Sequence, residues 1–254
     1  MTSDDLSDLS HLSAEPIGRR RWPAVTALIS ACLVCLAIAV VAGLDAETGA
    51  TRGPTAAQRA TAAATAVADR WRTWPAGRIF PASISYSTTL LTTETASRVA
   101  IAPQTSCASA IEPTADRLAA RDRCRAGLRA TYVDQLGGTV YTVGVLAFPT
   151  SRLAAAFAAR LPVGSADDLV LRAFARAGTA SALFAAPARQ VATSRLAGPF
   201  VVLTVAGYTD GEPTGPAQEP RTGIFAPARQ LAAEVASALD RAVHVNCGSP
   251  QWSC

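Results

Sequence analysis

The hydrophobic pattern divides this chain unevenly. Residues 1–21 are polar and lack apolar periodicity. Asp4, Asp5, Asp8 and Glu15 sit among serines there, and Arg19, Arg20 and Arg21 close the segment. Residues 23–44, PAVTALISACLVCLAIAVVAGL, are apolar throughout and carry no charge. A helix needs about 20 such residues to cross a hydrocarbon core of roughly 30 Å, and a helix of a soluble domain keeps a polar face. With Trp22 at its edge, 22–44 is expected to be a transmembrane helix. Arginines beside a span stay cytoplasmic, and the far flank carries only Asp45 and Glu47. The amino terminus is therefore expected inside the plasma membrane and the rest outside. Residues 1–21 read as a disordered cytoplasmic tail, 45–53 as a linker and 54–254 as one extracytoplasmic domain.

Two rival readings of the apolar run stay open. In the first, a signal peptide is cleaved after Val41-Ala42-Gly43, although its apolar region would be only about 7–15 residues long. In the second, Ile29-Ser30-Ala31-Cys32 acts as a lipobox, although the chain stays apolar well past Cys32. Cys32 and Cys35 form a CxxC spacing, which inside a span reads as two small apolar side chains rather than a redox pair.

Beyond the linker the pattern alternates between helix and strand periods. Residues 54–74 read as one Ala-rich helix with Ala64, Val67, Trp71 and Trp74 on its apolar face, both tryptophans packing on the domain. Pro75-Ala76-Gly77 stops it, and Ile79-Phe80-Pro81 follows as an apolar plug. Residues 83–91 and 97–102 read as strands around a turn at 92–95. A helix is expected over 114–132, capped by Thr114, with Ala120, Cys124 and Leu128 on one face. Residues 139–148, apolar on both faces, predict a central strand, where Gly144 allows close helix packing. A helix begins at Ser151, with Leu153, Phe157 and Leu161 inward. Over 168–176 a capping box argues helix, whereas alternation of Leu169, Leu171, Ala173 and Ala175 argues strand; strand is preferred. Residues 190–195 and 200–208 form a hairpin, 212–223 a Pro/Gly loop, and 226–243 a last helix with Leu231, Val235, Leu239 and Val243 on one stripe and Pro227 in its first turn. The echo of LFAAPARQ (183–190) in IFAPARQ (224–230) reads as coincidence. The fold class is α+β: an N-terminal transmembrane helix, then one exported domain with a mostly antiparallel sheet and packed helices.

Composition adds three points. Half of the 254 residues are hydrophobic, enough for a sizeable core. All 23 basic residues are arginine, and the net charge of +4 is spread along the sequence. No arginine cluster with interleaved aromatics stands beyond the membrane flank, so nucleic-acid binding has little support and no nucleic-acid partner is expected. Cys107, Cys124, Cys247 and Cys254 lie beyond the span, and an even number in an exported domain points to disulfides. More than one pairing is open; Cys107–Cys124 and Cys247–Cys254 are favoured as sequence neighbours.

The chemistry-bearing residues are sparse. A Ser-His-acid set would need His244, and no G-x-S-x-G elbow accompanies it. No P-loop and no G-x-G-x-x-G follows a strand. Asp210, Glu212 and Glu219 lack the spacing of a Ca²⁺ loop, and the cysteine spacings do not fit Zn²⁺. Paired carboxylates of a glycosidase kind stay open. No cofactor or metal is implied. Arg117, Arg121, Arg123, Arg125 and Arg129 make 114–132 the most basic helix. This is read chiefly as a solvated face, with Arg117, Arg121 and Arg125 as candidates for an anionic lipid or cell-wall polymer surface.

The segments W-x-x-W-P-A-G-x-I-F-P (71–81), RVAIAPQTSC (98–107), LRATYVD (128–134) and GPFVVLTVAGYTDG (198–211) resemble single-pass membrane proteins of actinobacteria with an exported α+β domain. That resemblance implies location and fold and brings no activity or site with it. The expected function is non-catalytic binding or sensing in the cell envelope. Two alternatives are an accessory subunit of a membrane export or surface-assembly complex, and an envelope hydrolase.

Overall fold

The computed structural model describes residues 22–51, 53–88, 90, 92–161, 170–213, 223–249 and 252. Expectations placed on Arg19, Arg20, Arg21, Cys254 and the loop 214–222 lie outside them. The chain divides into two compact units after Thr55.

The first unit holds helix α1, Trp22–Thr51. Its window Val25–Gly43 has a mean hydropathy of 2.8, and the side chains there are exposed. One N-terminal helix is therefore long and apolar enough to span a membrane. It continues past Leu44 through most of the expected linker, because no proline stands in its way before Pro54.

The second unit begins with α2 (Ala56–Ala68), α3 (Arg70–Thr73) and α4 (Ala76–Ile79). The single helix expected over 54–74 is thus broken at Asp69, and it buries Ala62 and Ala68 while Ala64 is exposed. Among the described residues six strands follow: β1 (Ser83–Ser87), β2 (Thr93–Ile101), β3 (Ala126–Asp134), β4 (Thr139–Ala147), β5 (Val191–Ala197) and β6 (Phe200–Tyr208). They form one antiparallel sheet in the order β1-β2-β3-β4-β6-β5. Helices α5 (Cys107–Ala110), α6 (Pro113–Arg121), α7 (Ser151–Ala158) and α8 (Pro227–Leu239) complete the unit. The fold is mixed α+β with an antiparallel sheet, as the alternation predicts.

Two cores lie on opposite faces. On the front, Tyr132, Tyr141, Val143, Phe200 and Val202 pack against Ile79 and Phe80 and the α8 stripe Leu231, Val235 and Leu239. On the back, Val140, Leu146, Val201 and Val205 meet Phe157 of α7, Ala115 and Ala119 of α6, Leu171 and Phe184. Strands β4 and β6 are buried on both faces, which explains their nearly continuous apolar sequence.

Three glycines bring other segments hard onto the back face. A Cβ at Gly127 would lie 2.7 Å from Ala110 Cβ, one at Gly144 would lie 2.3 Å from Leu171 Cδ1, and one at Gly207 would lie 2.0 Å from the Ala188 carbonyl oxygen. Gly144 does permit close packing, but of an extended segment and not of a helix.

Several expectations are corrected. The helix expected over 114–132 ends at Arg121; Arg123 then turns the chain at φ 58°, and the remainder is strand β3. Pro113 starts α6, with Glu112 rather than Thr114 at the N-cap. Strand β1 ends at Ser87 and β2 already begins at Thr93, so β2 takes in most of the residues expected as turn. Of 168–176, residues 170–176 are described; they are extended, with a single bridge from Leu171 to Ile111, and form no strand. The last helix stops at Leu239, short of Val243.

Candidate interaction surfaces

Helix α3 and the loop after it form one end of the sheet. Arg70 is buried and donates to the carbonyl oxygens of Leu239 and Arg241, the latter at 2.5 Å. A cation placed there satisfies carbonyls at the C-terminal end of α8, where the helix dipole is negative. Trp74 carries two guanidinium groups on its ring, Arg70 at 4.7 Å and Arg78 at 3.8 Å. Arg98 donates to the Phe80 carbonyl, and Tyr132 Oη donates to Pro81 O at 2.9 Å. Trp71 and Trp74 pack on the front core. The W-x-x-W-P-A-G-x-I-F-P segment is therefore explained by packing, stacking and hydrogen bonding within the domain.

The same end gathers arginines that are far apart in sequence. Asp69 pairs with Arg72 at 2.6 Å and lies 3.7 Å from Arg125. Asp122, just after α6, pairs with Arg160, just after α7. Arg117 and Arg121 are exposed on α6 with no ion-pair partner among the described residues. Of the sequence-predicted surface, Arg117 and Arg121 thus stand on one short helix, while Arg125 precedes β3 and is partly neutralised. Arg72, Arg78 and Arg160 join them, which no local pattern signals. Arg129, read with this group, is turned away from the surface and buried.

The opposite end is acidic and apolar. Glu94 accepts from Tyr86 Oη at 2.9 Å, Asp134 accepts from the Thr139 amide at 2.8 Å, and Asp210 accepts from the Glu212 amide at 3.0 Å. Asp134 and Asp210 close turns, and Glu94 bonds its cross-strand partner on β1. Leu90 and Leu136 stand out from the β1–β2 and β3–β4 turns, 82% and 80% exposed.

A third polar feature lies on the back face. The extended segment 170–176 crosses it as a strap. Thr131 Oγ1 donates to Phe174 O at 2.5 Å, and the Phe174 amide donates to Thr142 Oγ1 at 3.0 Å. Arg129 Nη1 donates to Arg172 O at 3.3 Å and Ala173 O at 3.4 Å, and its guanidinium lies 5.4 Å from the Phe174 ring. Burial and the charge of Arg172 push Arg129 below the usual arginine range. Arg189 Nη1 donates to Leu171 O at 2.7 Å and to Glu112 Oε1 at 2.9 Å.

Cys107 and Cys124 are joined, with an S–S distance of 2.06 Å and Cα atoms 6.4 Å apart. Cys124 reaches its partner from the turn after α6, not from a helix face. The bond fixes α5 where Ala110 meets Gly127. Cys247 is disulfide-bonded, and its expected partner Cys254 lies outside the described residues. Cys32 and Cys35 are free and exposed on α1. Closing a loop with a sequence separation of 17 contributes roughly 3 kcal/mol through the unfolded chain. Cys107→Ser is therefore expected to lower stability by about that amount, measured as the free energy of urea unfolding with the m-value fitted for each variant, because the released unfolded chain is less compact. An unchanged free energy would remove the bond from the stability of the domain.

His244 is exposed, and no group of three His, Cys, Asp or Glu side chains gathers among the described residues. No protein-family model, curated protein or solved structure matches this chain.

Proposed function

We propose that this chain is a membrane-anchored extracytoplasmic module that binds rather than catalyses, with α1 as its anchor. The observation that carries the reading is the window Val25–Gly43, long enough to span and apolar on every side. The Cys107–Cys124 bond supports an oxidising compartment for the domain, and Arg19, Arg20 and Arg21 support a cytoplasmic amino terminus. In this reading the arginine end, with Arg117, Arg121 and Arg125, is the surface offered to anionic lipid or envelope polymer. The exposed Leu90 and Leu136 favour a second reading, an accessory subunit that docks by its apolar tips onto a membrane assembly.

Protease digestion of intact cells, followed by the mass of the retained fragment, tests the anchor. The expected result is a full-length membrane-bound chain whose domain is digested from outside while the tail is protected. A chain beginning after Gly43, or one lipid-modified at Cys32, would overturn it. Neutralising Arg19, Arg20 and Arg21 is expected to place part of the population in the reverse orientation.

A further inference from the structure

The turn that closes α6 puts an arginine in a position that suits glycine. The Arg123 amide donates to Ala120 O at 3.0 Å and the Cys124 amide to Ala119 O at 2.9 Å, the paired bonds of a Schellman ending. Its central residue must take a positive φ, here 58°. Glycine does so freely and an arginine only under strain; the other positive-φ residues described are all glycines. Such strain collects at binding sites and switch regions. The Arg123 side chain is exposed, and no ion pair among the described residues takes it. On either side of it in sequence the outward charge is also positive. Arg72, Arg125 and Arg160 are 59%, 45% and 41% exposed along their side chains, whereas the acids they pair with, Asp69 and Asp122, are only 14% and 8% exposed. The carboxylates therefore lie beneath and the guanidiniums above. Arg121, in the last turn of α6, is a further exposed guanidinium. Glu94, Asp134 and Asp210 stand at the other end of the sheet, so the domain is polarised in charge from end to end.

We propose that Arg72, Arg121, Arg123, Arg125 and Arg160 seat this end of the domain on the phosphoryl groups of anionic phospholipids, in the same bilayer that α1 crosses. The inference rests on α1 being an anchor, as proposed above, and commits the arginine end to lipid. Guanidinium matches phosphate oxygens two at a time. Helix α1 ends at Thr51 and α2 begins at Ala56, so residues 52–55 alone join the two. Such a short link keeps the headgroups of one bilayer at high effective concentration for the domain. Each arginine that reaches an anionic surface shifts the docked-to-free ratio by about fivefold, and salt screens the attraction. Arg123 is the contact that the fold itself would trade for glycine.

The test uses the full chain in nanodiscs of phosphatidylcholine, alone or with an equal part of phosphatidylglycerol, each with a trace of lipid carrying a gadolinium chelate on its headgroup. Arginine Nε–Hε resonances are followed by NMR. Broadening of the five arginine signals is expected in the phosphatidylglycerol discs and is lost in high salt. Arg229 is the internal control. It begins α8 at the far end, where the neighbouring Gln230 side chain holds the Ser87 amide and carbonyl at 2.8 and 2.7 Å, and its signal should stay sharp. Arg123→Gly is the informative variant, because it removes a charge and gives the turn the residue it favours. It should lower the docked-to-free ratio about fivefold while the thermal midpoint holds or rises. Docking unchanged in Arg123→Gly, or broadening equal in phosphatidylcholine alone, overturns the proposal. So does a chain held in the discs whose arginine signals stay sharp but shift with soluble polyglycerol phosphate, in favour of a wall polymer. A chain that leaves the discs on gel filtration refutes the anchor, and this inference with it.

Discussion

Gly207→Ala is expected to cost more than roughly 4 kcal/mol and to leave little folded protein. Overpacking usually costs about 1–3 kcal/mol because side chains move aside. Here the added methyl would sit 2.0 Å from the carbonyl oxygen of Ala188 and 2.8 Å from Phe184. The first is backbone, held by the turn 186–188 against a strand paired on both sides. Neither partner can retreat without breaking the β5–β6 or β4–β6 ladder. Gly144→Ala provides the contrast. Its clash is with the Leu171 side chain, so Leu171→Ala in the same chain relieves it. Gly138→Ala, with nothing within 4 Å, is the neutral control. Thermal unfolding of the three variants decides the matter. A Gly207→Ala protein as stable as Gly138→Ala would mean that the back-face contact is not as close as described.

Alkaline pH is expected to unfold the domain steeply from pH 10 upward. Tyr86, Tyr132 and Tyr141 are buried on the front face. Burial pushes all three phenols up, Tyr141 to about 12. For Tyr86 the hydrogen bond to Glu94 adds to the effect of burial; for Tyr141 the Thr139 hydroxyl opposes it. The sign follows from proton counting. Between pH 10 and 12 the unfolded chain has released these protons and the folded chain has kept them, so stability falls as pH rises. Each phenol contributes a slope of about 1.4 kcal/mol per pH unit, and three together roughly 4. The contribution is complete below pH 10 and is lost through the window above it. Urea midpoints measured from pH 9 to 11.5, with tyrosinate absorbance as the second readout, check this. Tyr86→Phe should remove one of the three slopes. A flat profile to pH 11.5 would show that the phenols are hydrated in the folded state.

The elements visible in the sequence were those whose evidence is local. Strands β4 and β6, the β5–β6 hairpin, α7 capped by Thr150 and α8 opened by Pro227 each carry their own signal within a few residues. The helix expected over 114–132 failed because Ala120, Cys124 and Leu128 repeat at helical spacing by chance, while the turn at Arg123 leaves no mark that a helix former would not also leave. Arg129 failed for a deeper reason. An arginine is read as exposed unless acceptors are known, and its acceptors are carbonyls of Arg172 and Ala173, some forty positions on. The arginine end is likewise nonlocal, since Asp69, Asp122 and the ends of α3, α6 and α7 meet only once the sheet has formed. Cys107–Cys124 was readable because the partners are near in sequence.

The clamp of Arg70 on the end of α8 has a mechanical consequence. Tension applied through the segment preceding Ala56 passes first along α2, which buries only Ala62 and Ala68. The load then reaches α3, where a guanidinium grips carbonyls at the far end of the chain. Force is thereby transferred to the last helix of the domain instead of peeling β1 from the sheet edge. The first turns can stretch as a compliant leash, and the load then enters the sheet through the packed face of α8 rather than at the exposed β1 edge.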